Sequence, residues 1–214
     1  MMPENGPTGQ EPYLTPRQPS RADGVARTAA EECTVVLCQP CGVGIPDVII
    51  ELVGASNFER TVQFLIEWVS DGEAAARKHL ADHADGGGAS IVAVRDHGVI
   101  GIVTIRWKSN YSGFRDHGIP LVHQLAAAGP FRRLGAATLL MDAAEDLARE
   151  RGIAILGITV GLFDKYGPAQ RLYAQRGYVP DGRGACRGQV PLSDGARVIM
   201  DDNLIIWLTK ELHD

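Results

Sequence analysis

Phe131-Arg132-Arg133-Leu134-Gly135-Ala136-Ala137-Thr138-Leu139-Leu140 is the stretch whose reading decides the fold. An apolar run, Leu121 to Ala128, precedes it, and a segment of helical periodicity follows. Ala137, Leu140, Ala144, Leu147 and Ala148 recur at three- and four-residue spacings and predict one apolar helix face. Asp142, Glu145, Asp146, Arg149 and Glu150 are expected on the opposite side, and Gly152 reads as a C-terminal stop. No Ser, Thr, Asp or Asn stands where an N-capping side chain belongs. The first amides of the helix are therefore left to bind something else. Gly135 and the alanines keep side chains clear of them, and Arg132 and Arg133 flank the opening. Free amides, the positive end of a helix dipole and guanidinium groups together form an anion site, for which phosphate is the usual occupant.

Arg132-x-x-Gly135-x-Ala137 resembles the R/Q-x-x-G-x-G/A signature of the GNAT superfamily of N-acetyltransferases, which cradles the pyrophosphate of acetyl-CoA. Downstream, Ala169-Gln170-Arg171-Leu172-Tyr173-Ala174-Gln175-Arg176-Gly177-Tyr178 is similar to the family's A-x-x-L-Y-x-x-x-G-F/Y segment. The two motifs in order, with one helix and one strand between them, are far more specific than either alone. The resemblance covers about residues 48 to 212 and is strongest from Val99 to Gly184. It implies an α/β chain with the GNAT fold, a mixed central β-sheet with helices on both faces.

The resemblance also implies chemistry. Acetyl-CoA would be the acetyl donor, and an amine-bearing acceptor, a small molecule by preference, would attack it directly in a ternary complex. Arg132, Arg133 and the amides of Leu134, Gly135, Ala136, Ala137 and Thr138 would hold the pyrophosphate. The strand end Ala126, Ala127 and Ala128 would face the pantetheine arm with its backbone, and Ala169 would touch the cofactor beside Tyr173. Tyr173 would protonate the departing thiolate, which gains from a donor in a poorly hydrated tunnel; a half-buried core aromatic is the other reading. Two positions depart from the family pattern: the proline is Pro130 rather than at Gly129, and Tyr166 stands where an asparagine is common.

The base is the least marked element. No carboxylate lies between Ile119 and Leu140, and His123 occupies the strand before the motif. Its ordinary pKa near neutrality suits proton transfer, although a satisfied half-buried histidine fits as well. Asp116, His117 and Glu67 are further candidates. The loop from Trp107 to Pro120 mixes aromatics and charges and is too long for a tight turn. Trp107, Tyr111, Phe114 and Asp116 are expected to shape the acceptor site, with a solvated loop and one anchoring aromatic as the bland alternative. A non-catalytic acyl-CoA-binding or regulatory protein on the same fold is the competing function, and it would tolerate Tyr173→Phe.

Composition sets the remaining bounds. A chain of 214 residues with 45% hydrophobic content can bury one ordinary core. A net charge of −5 argues against a nucleic-acid surface. No apolar run approaches the roughly 20 residues of a membrane span, and the N-terminus lacks the apolar core of a signal peptide. A cytoplasmic bacterial protein, with a homodimer as one assembly, is the expectation. Residues 1–46 are rich in Pro, Gly and polar side chains and are expected to be disordered or loosely ordered; residues 47–214 form the acetyltransferase domain. Cys38-x-x-Cys41, with Cys33 before it, is not matched by a second C-x-x-C, so no metal site is expected.

The expected element order is β-αα-β-β-β-α-β-α-β-β. Asp96-His97-Gly98 is read as a hairpin turn. A terminal hairpin is expected from Arg197–Met200 and Leu204–Thr209 across Asp201-Asp202-Asn203.

Overall fold

The computed structural model describes residues 45–84 and 86–213. The expected extension, 1–46, and Cys33, Cys38 and Cys41 therefore lie outside the described residues, apart from Ile45 and Pro46. Ile45 is buried with the main core, so the packed unit reaches at least that far.

Eight strands form one mixed sheet in the order β1-β2-β3-β4-β5-β8-β6-β7. β1 (Ile49–Leu52) leads into α1 (Phe58–Trp68) and α2 (Glu73–Ala81). β2 (Gly88–Arg95) and β3 (Gly98–Arg106) make the expected hairpin, with Asp96 and His97 in left-handed conformations. A short helix, α3 (Ser112–Arg115), interrupts the connection to β4 (Leu121–Ala127). Then come α4 (Ala136–Glu150), β5 (Ile155–Gly161), α5 (Gly167–Gln175), β6 (Val179–Arg187), β7 (Val190–Pro191) and β8 (Leu204–Glu211). β4 and β5 run parallel and the other neighbours antiparallel.

Helices cover both faces. Val62, Phe64 and Leu65 of α1 and Ala76 and Leu80 of α2 pack on Val92, Val94 and Ile102. Leu140, Met141, Ala144 and Ala148 of α4 pack on Ala93, Val103, Ile105 and Leu156 from the other side. The alternation along β2 and β3 sends successive residues to the two cores, as a pleated strand requires.

Two expectations are corrected. Glu145 is not on the outer face of α4: it is 2% exposed and held by Arg176 (2.9 Å), Lys210 (2.6 Å) and Arg149 (3.7 Å). Its position borders the apolar stripe, and three cations arriving from other turns and elements make burial of the charge tolerable. The terminal hairpin is absent too. Arg197–Met200 forms no strand, and Ile199 and Met200 are exposed, while β8 pairs with β5 on one side and β6 on the other. β6 is hard to see in the sequence because Gly182 and Gly184, both at positive φ, sit where its register with β8 shifts between Pro180 and Ala185. Glycines of that kind read as loop, yet here they make a bulge.

Candidate active site

β4 is paired to β3 along its whole length, from Leu121 opposite Arg106 to Ala127 opposite Gly101. Its partnership with β5 is far shorter: only Leu121 with Gly157 and Val122 with Ile158 are in register. Beyond Val122 the two parallel strands diverge. The edge of β4 facing β5 is then without a strand partner from His123 to Ala127, and buried or half-buried backbone groups of that kind need partners. A cleft of about 230 Å³ fills the gap. Its walls are His123, Gln124 and Leu125 of β4, Thr159, Val160 and Gly161 of β5, and Tyr166, Ala169 and Tyr173 beyond.

The divergence has a local cause. Gln124 opposes Thr104 and Val122 opposes Ile105, which leaves His123 as an extra residue, a β-bulge. A bulge bends its strand and increases the local twist. The strand then ends in a short 3₁₀ turn, Gly129–Phe131, with Pro130 in its first positions.

α4 starts at Gly135, which has φ +103° and ψ −7° and provides no capping side chain. Only glycine adopts that conformation at little cost. The amides of Leu134, Gly135, Ala136 and Ala137 donate to no carbonyl or side chain among the described residues. The amide of Thr138 does: it donates to the Gly135 carbonyl at 2.9 Å, so the free set ends one residue earlier than expected. Arg133 is itself in the left-handed region, φ +61°, and Arg132 donates from Nε to the Ala127 carbonyl at 3.1 Å. That bond ties the arginine beside the loop back to the end of β4. The uncapped helix end, Arg132 and Arg133, and the strand end Ala126, Ala127 and Ala128 thus belong to one continuous β4–α4 corner.

Tyr173 lies across the cleft on α5 and is 5% exposed. Burial pushes its phenol well above the ordinary range, with Tyr166 adding to the shift, so it carries its proton throughout the working pH range. A phenol kept protonated is a donor and not a base. Tyr166 packs where a Cβ on Gly161 would come within 2.1 Å of its ring, so Gly161 makes room for it. Its hydroxyl donates to Asp202 at 3.1 Å. Gln170 donates to the Gly161 carbonyl at 2.7 Å and fixes α5 against the end of β5.

His123 does reach the cleft wall. Burial, then Arg106, His79 and His83, push its pKa down to about 3. It is therefore neutral at pH 7 but a feeble proton acceptor, several units short of matching an ammonium group. The other base candidates, Glu67, Asp116 and His117, are exposed and do not line the cleft.

The loop residues expected at the acceptor site are elsewhere. Tyr111 and Phe114 are 0% and 2% exposed. Tyr111 stacks on Trp207 with centroids 3.8 Å apart, Phe114 meets both rings edge-on, and the Tyr111 hydroxyl donates to Asp181 at 3.1 Å. They form a small core with Leu121 and Cys186. Gly157 of β5 has no side chain because Phe114 occupies the space, at 2.2 Å from an ideal Cβ. Trp107 lies under Arg151 at the far end of α4, 4.3 Å from ring centre to guanidinium, and Asp116 is exposed beside Arg115. The long loop is thus folded by α3 onto a third, smaller core, and its aromatics pack.

Several cleft residues escaped the sequence reading. Thr159, Asp202 and Ile205 line it without any motif pointing to them, because the divergence of β4 and β5 brings them in, while Tyr166 stands out only as a departure from the family pattern. His79 and His83 form a third group: their rings stack on His123 with centroids 5.5 and 5.4 Å away. Here a signal existed, since His79-x-x-x-His83 places two imidazoles on one helix face.

The model of the "Acetyltransferase (GNAT) family" matches residues 56–178. No curated protein matches the chain. Among solved structures, the chain resembles the ribosomal-protein-S18-alanine N-acetyltransferase from Escherichia coli, with a TM-score of 0.56 and 14% identity over 77% of this chain and 94% of that one. It resembles aminoglycoside 6'-acetyltransferase type Ii with a TM-score of 0.57 and 15% identity, covering 78% and 98%. A GNAT family acetyltransferase from Elizabethkingia anophelis with acetyl-CoA bound gives 0.53 and 15%, covering 78% and 100%. At these identities the likeness is one of fold. Among the described residues, no helix is long and apolar enough to cross a membrane.

Proposed function

The chain belongs to the GNAT family of acetyl-CoA-dependent acetyltransferases, and from that premise we propose that it moves the acetyl group to a primary amine, a small molecule by preference, within a ternary complex. The observation that carries the reading is the parting of β4 from β5 after Val122, which opens a cleft between an uncapped helix end and Tyr173. The pyrophosphate sits on the amides of Leu134 to Ala137, with Arg132 and Arg133 beside it. The pantetheine arm lies along the free edge of β4, where Gln124 to Ala127 supply backbone groups in place of the missing strand.

The amine nitrogen attacks the thioester carbonyl carbon, and a β4 amide stabilises the oxyanion that forms. As the tetrahedral intermediate collapses, the carbon–sulfur bond breaks and Tyr173 gives its proton to the thiolate sulfur. The proton shed by the amine passes through water in the open cleft and restores the one that Tyr173 gave up, so the enzyme returns to its starting state. The direct route needs no acyl-enzyme, and Cys186, the one cysteine among the described residues, is buried with Tyr111 and Trp207, apart from the cleft. An amine acceptor is consistent with two of the similar structures, named as a ribosomal-protein-S18-alanine N-acetyltransferase and an aminoglycoside 6'-acetyltransferase.

The test is thermal unfolding with and without acetyl-CoA, followed by CoA release with a panel of primary amines. Acetyl-CoA at a hundredfold excess over its Kd stabilises the folded chain by about 2.7 kcal/mol, and Gly135→Glu abolishes the shift by placing a carboxylate in the anion site. No shift at millimolar acetyl-CoA overturns the cofactor site. Binding without amine-dependent CoA release overturns amine transfer and leaves a binding protein.

A further inference from the structure

Three imidazoles meet beside the C-terminal end of α2 and the bulge of β4. His79 and His83 are one turn apart, and the bulge at His123 turns the third ring toward them. One ring nitrogen from each lies within 4.8 Å of the others. Ring centroids are 4.8 to 5.5 Å apart. Nε2 of His79, Nε2 of His83 and Nδ1 of His123 are buried and have no hydrogen-bond partner among the described residues. Buried polar atoms without partners are uncommon, and three in one place share one remedy.

His83 is built for the purpose. It is 4% exposed, and its Nδ1 lies 2.5 Å from the His79 carbonyl. Nδ1 therefore carries the hydrogen, which leaves Nε2 with a bare lone pair. A ring nitrogen bonded to a backbone carbonyl while the other faces inward is the arrangement that orients metal-binding histidines. Gly88 admits the ring, because a Cβ there would fall 2.9 Å from Cδ2 of His83. The charged groups that face the cluster are Arg106 and Asp82, of opposite sign.

The geometry points to a binding site for one divalent transition-metal ion, zinc by preference, held by His79, His83 and His123 on the wall of the cleft. Three neutral imidazoles suit zinc, cobalt, nickel and copper over magnesium or calcium. Tetrahedral zinc at its usual bond length sets ligand nitrogens about 3.4 Å apart, so the half-buried His79 and His123 rings close in on the fixed His83. Three protein ligands leave a fourth position open. The ion ties α2 to the bulge of β4. This inference is independent of acetyl transfer.

The full-length chain, stripped with a chelator, is titrated with Co²⁺ and followed by its visible absorption. One equivalent is expected to give the bands of a four-coordinate, nitrogen-ligated ion, and Zn²⁺ is expected to bleach them. His79→Ala and His123→Ala each weaken binding roughly tenfold or more, while a Cys33→Ser/Cys38→Ser/Cys41→Ser variant binds as before. Circular dichroism of the metal-free variants checks that they fold. Absence of the bands, their persistence in both folded histidine variants, or a thiolate-to-cobalt charge-transfer band lost with the cysteines overturns the site.

Discussion

Tyr173 is where burial and chemistry meet. A phenol 5% exposed, with its pKa raised by burial, can donate a proton and cannot readily lose it unbidden. Tyr173→Phe keeps the ring that packs against Tyr178, 6.0 Å between centroids, and removes only the hydroxyl. The expected result is a fall in kcat on the order of 10²-fold with little change in KM for acetyl-CoA, read from CoA release. An unchanged kcat would remove Tyr173 from the reaction. Tyr111 teaches the opposite lesson. It sits in a loop whose composition suggests a pocket, yet its ring is sandwiched against Trp207. The residue types are the same, and only their neighbours distinguish the proposed acid from a packed core ring.

At the scale of elements, the Glu145 cluster decides where α5 sits. Arg176 ends α5 and bonds both Glu145 and Asp142 of α4, while Lys210 reaches Glu145 from β8. Removing one partner from such a buried group costs about 3–5 kcal/mol, because opposite charges are left without compensation. Glu145→Gln is therefore expected to lower Tm by many degrees and to loosen the helix that carries Tyr173. Burial alone would raise the Glu145 pKa, but hydrogen bonds from Arg176 and Lys210 outweigh it and the net shift is downward. A carboxyl with a lowered folded pKa contributes stability that is complete above its unfolded value near 4.5 and is lost as pH falls through the folded one. Wild type should thus lose stability more steeply than Glu145→Gln below about pH 4.5, as thermal melts across pH will show. Equal slopes would mean that Glu145 carries no such linkage.

The whole molecule is organised around one incomplete ladder. β3 holds β4 from one side over its full length, and β5 releases it after two residues. A ligand that replaces the missing partner should protect the β4 edge from exchange. Acetyl-CoA at a hundredfold excess over Kd is expected to slow amide exchange at Gln124 to Ala127 by up to about 100-fold where opening requires its release. Hydrogen exchange read by mass spectrometry measures this, and protection confined to α4 would place the pantetheine elsewhere. The exposed stretch at Val198, Ile199 and Met200 is expected to show no such change.

Much of this was legible in the chain because it depends on neighbours in sequence. The apolar stripe of α4, the missing cap, the glycine at its start and the hairpin at Asp96-His97 follow from local spacing and backbone preference, and they mark the proposed anion site and point to the family. What the sequence could not settle depends on which strands part and which side chains then meet. β6 hides behind glycines that make a bulge, and Glu145 is buried because Arg176 and Lys210 arrive from elements 31 and 65 residues away. Tyr111 leaves the pocket for a core built with Trp207, and His123 joins one histidine of α2 and another just past its end. Local sequence determined most of the elements and the uncapped helix start at which the proposed phosphate site lies. Only the tertiary structure decided the cleft, its walls and its protonation states, because burial and charge are set by contacts between residues far apart in the chain.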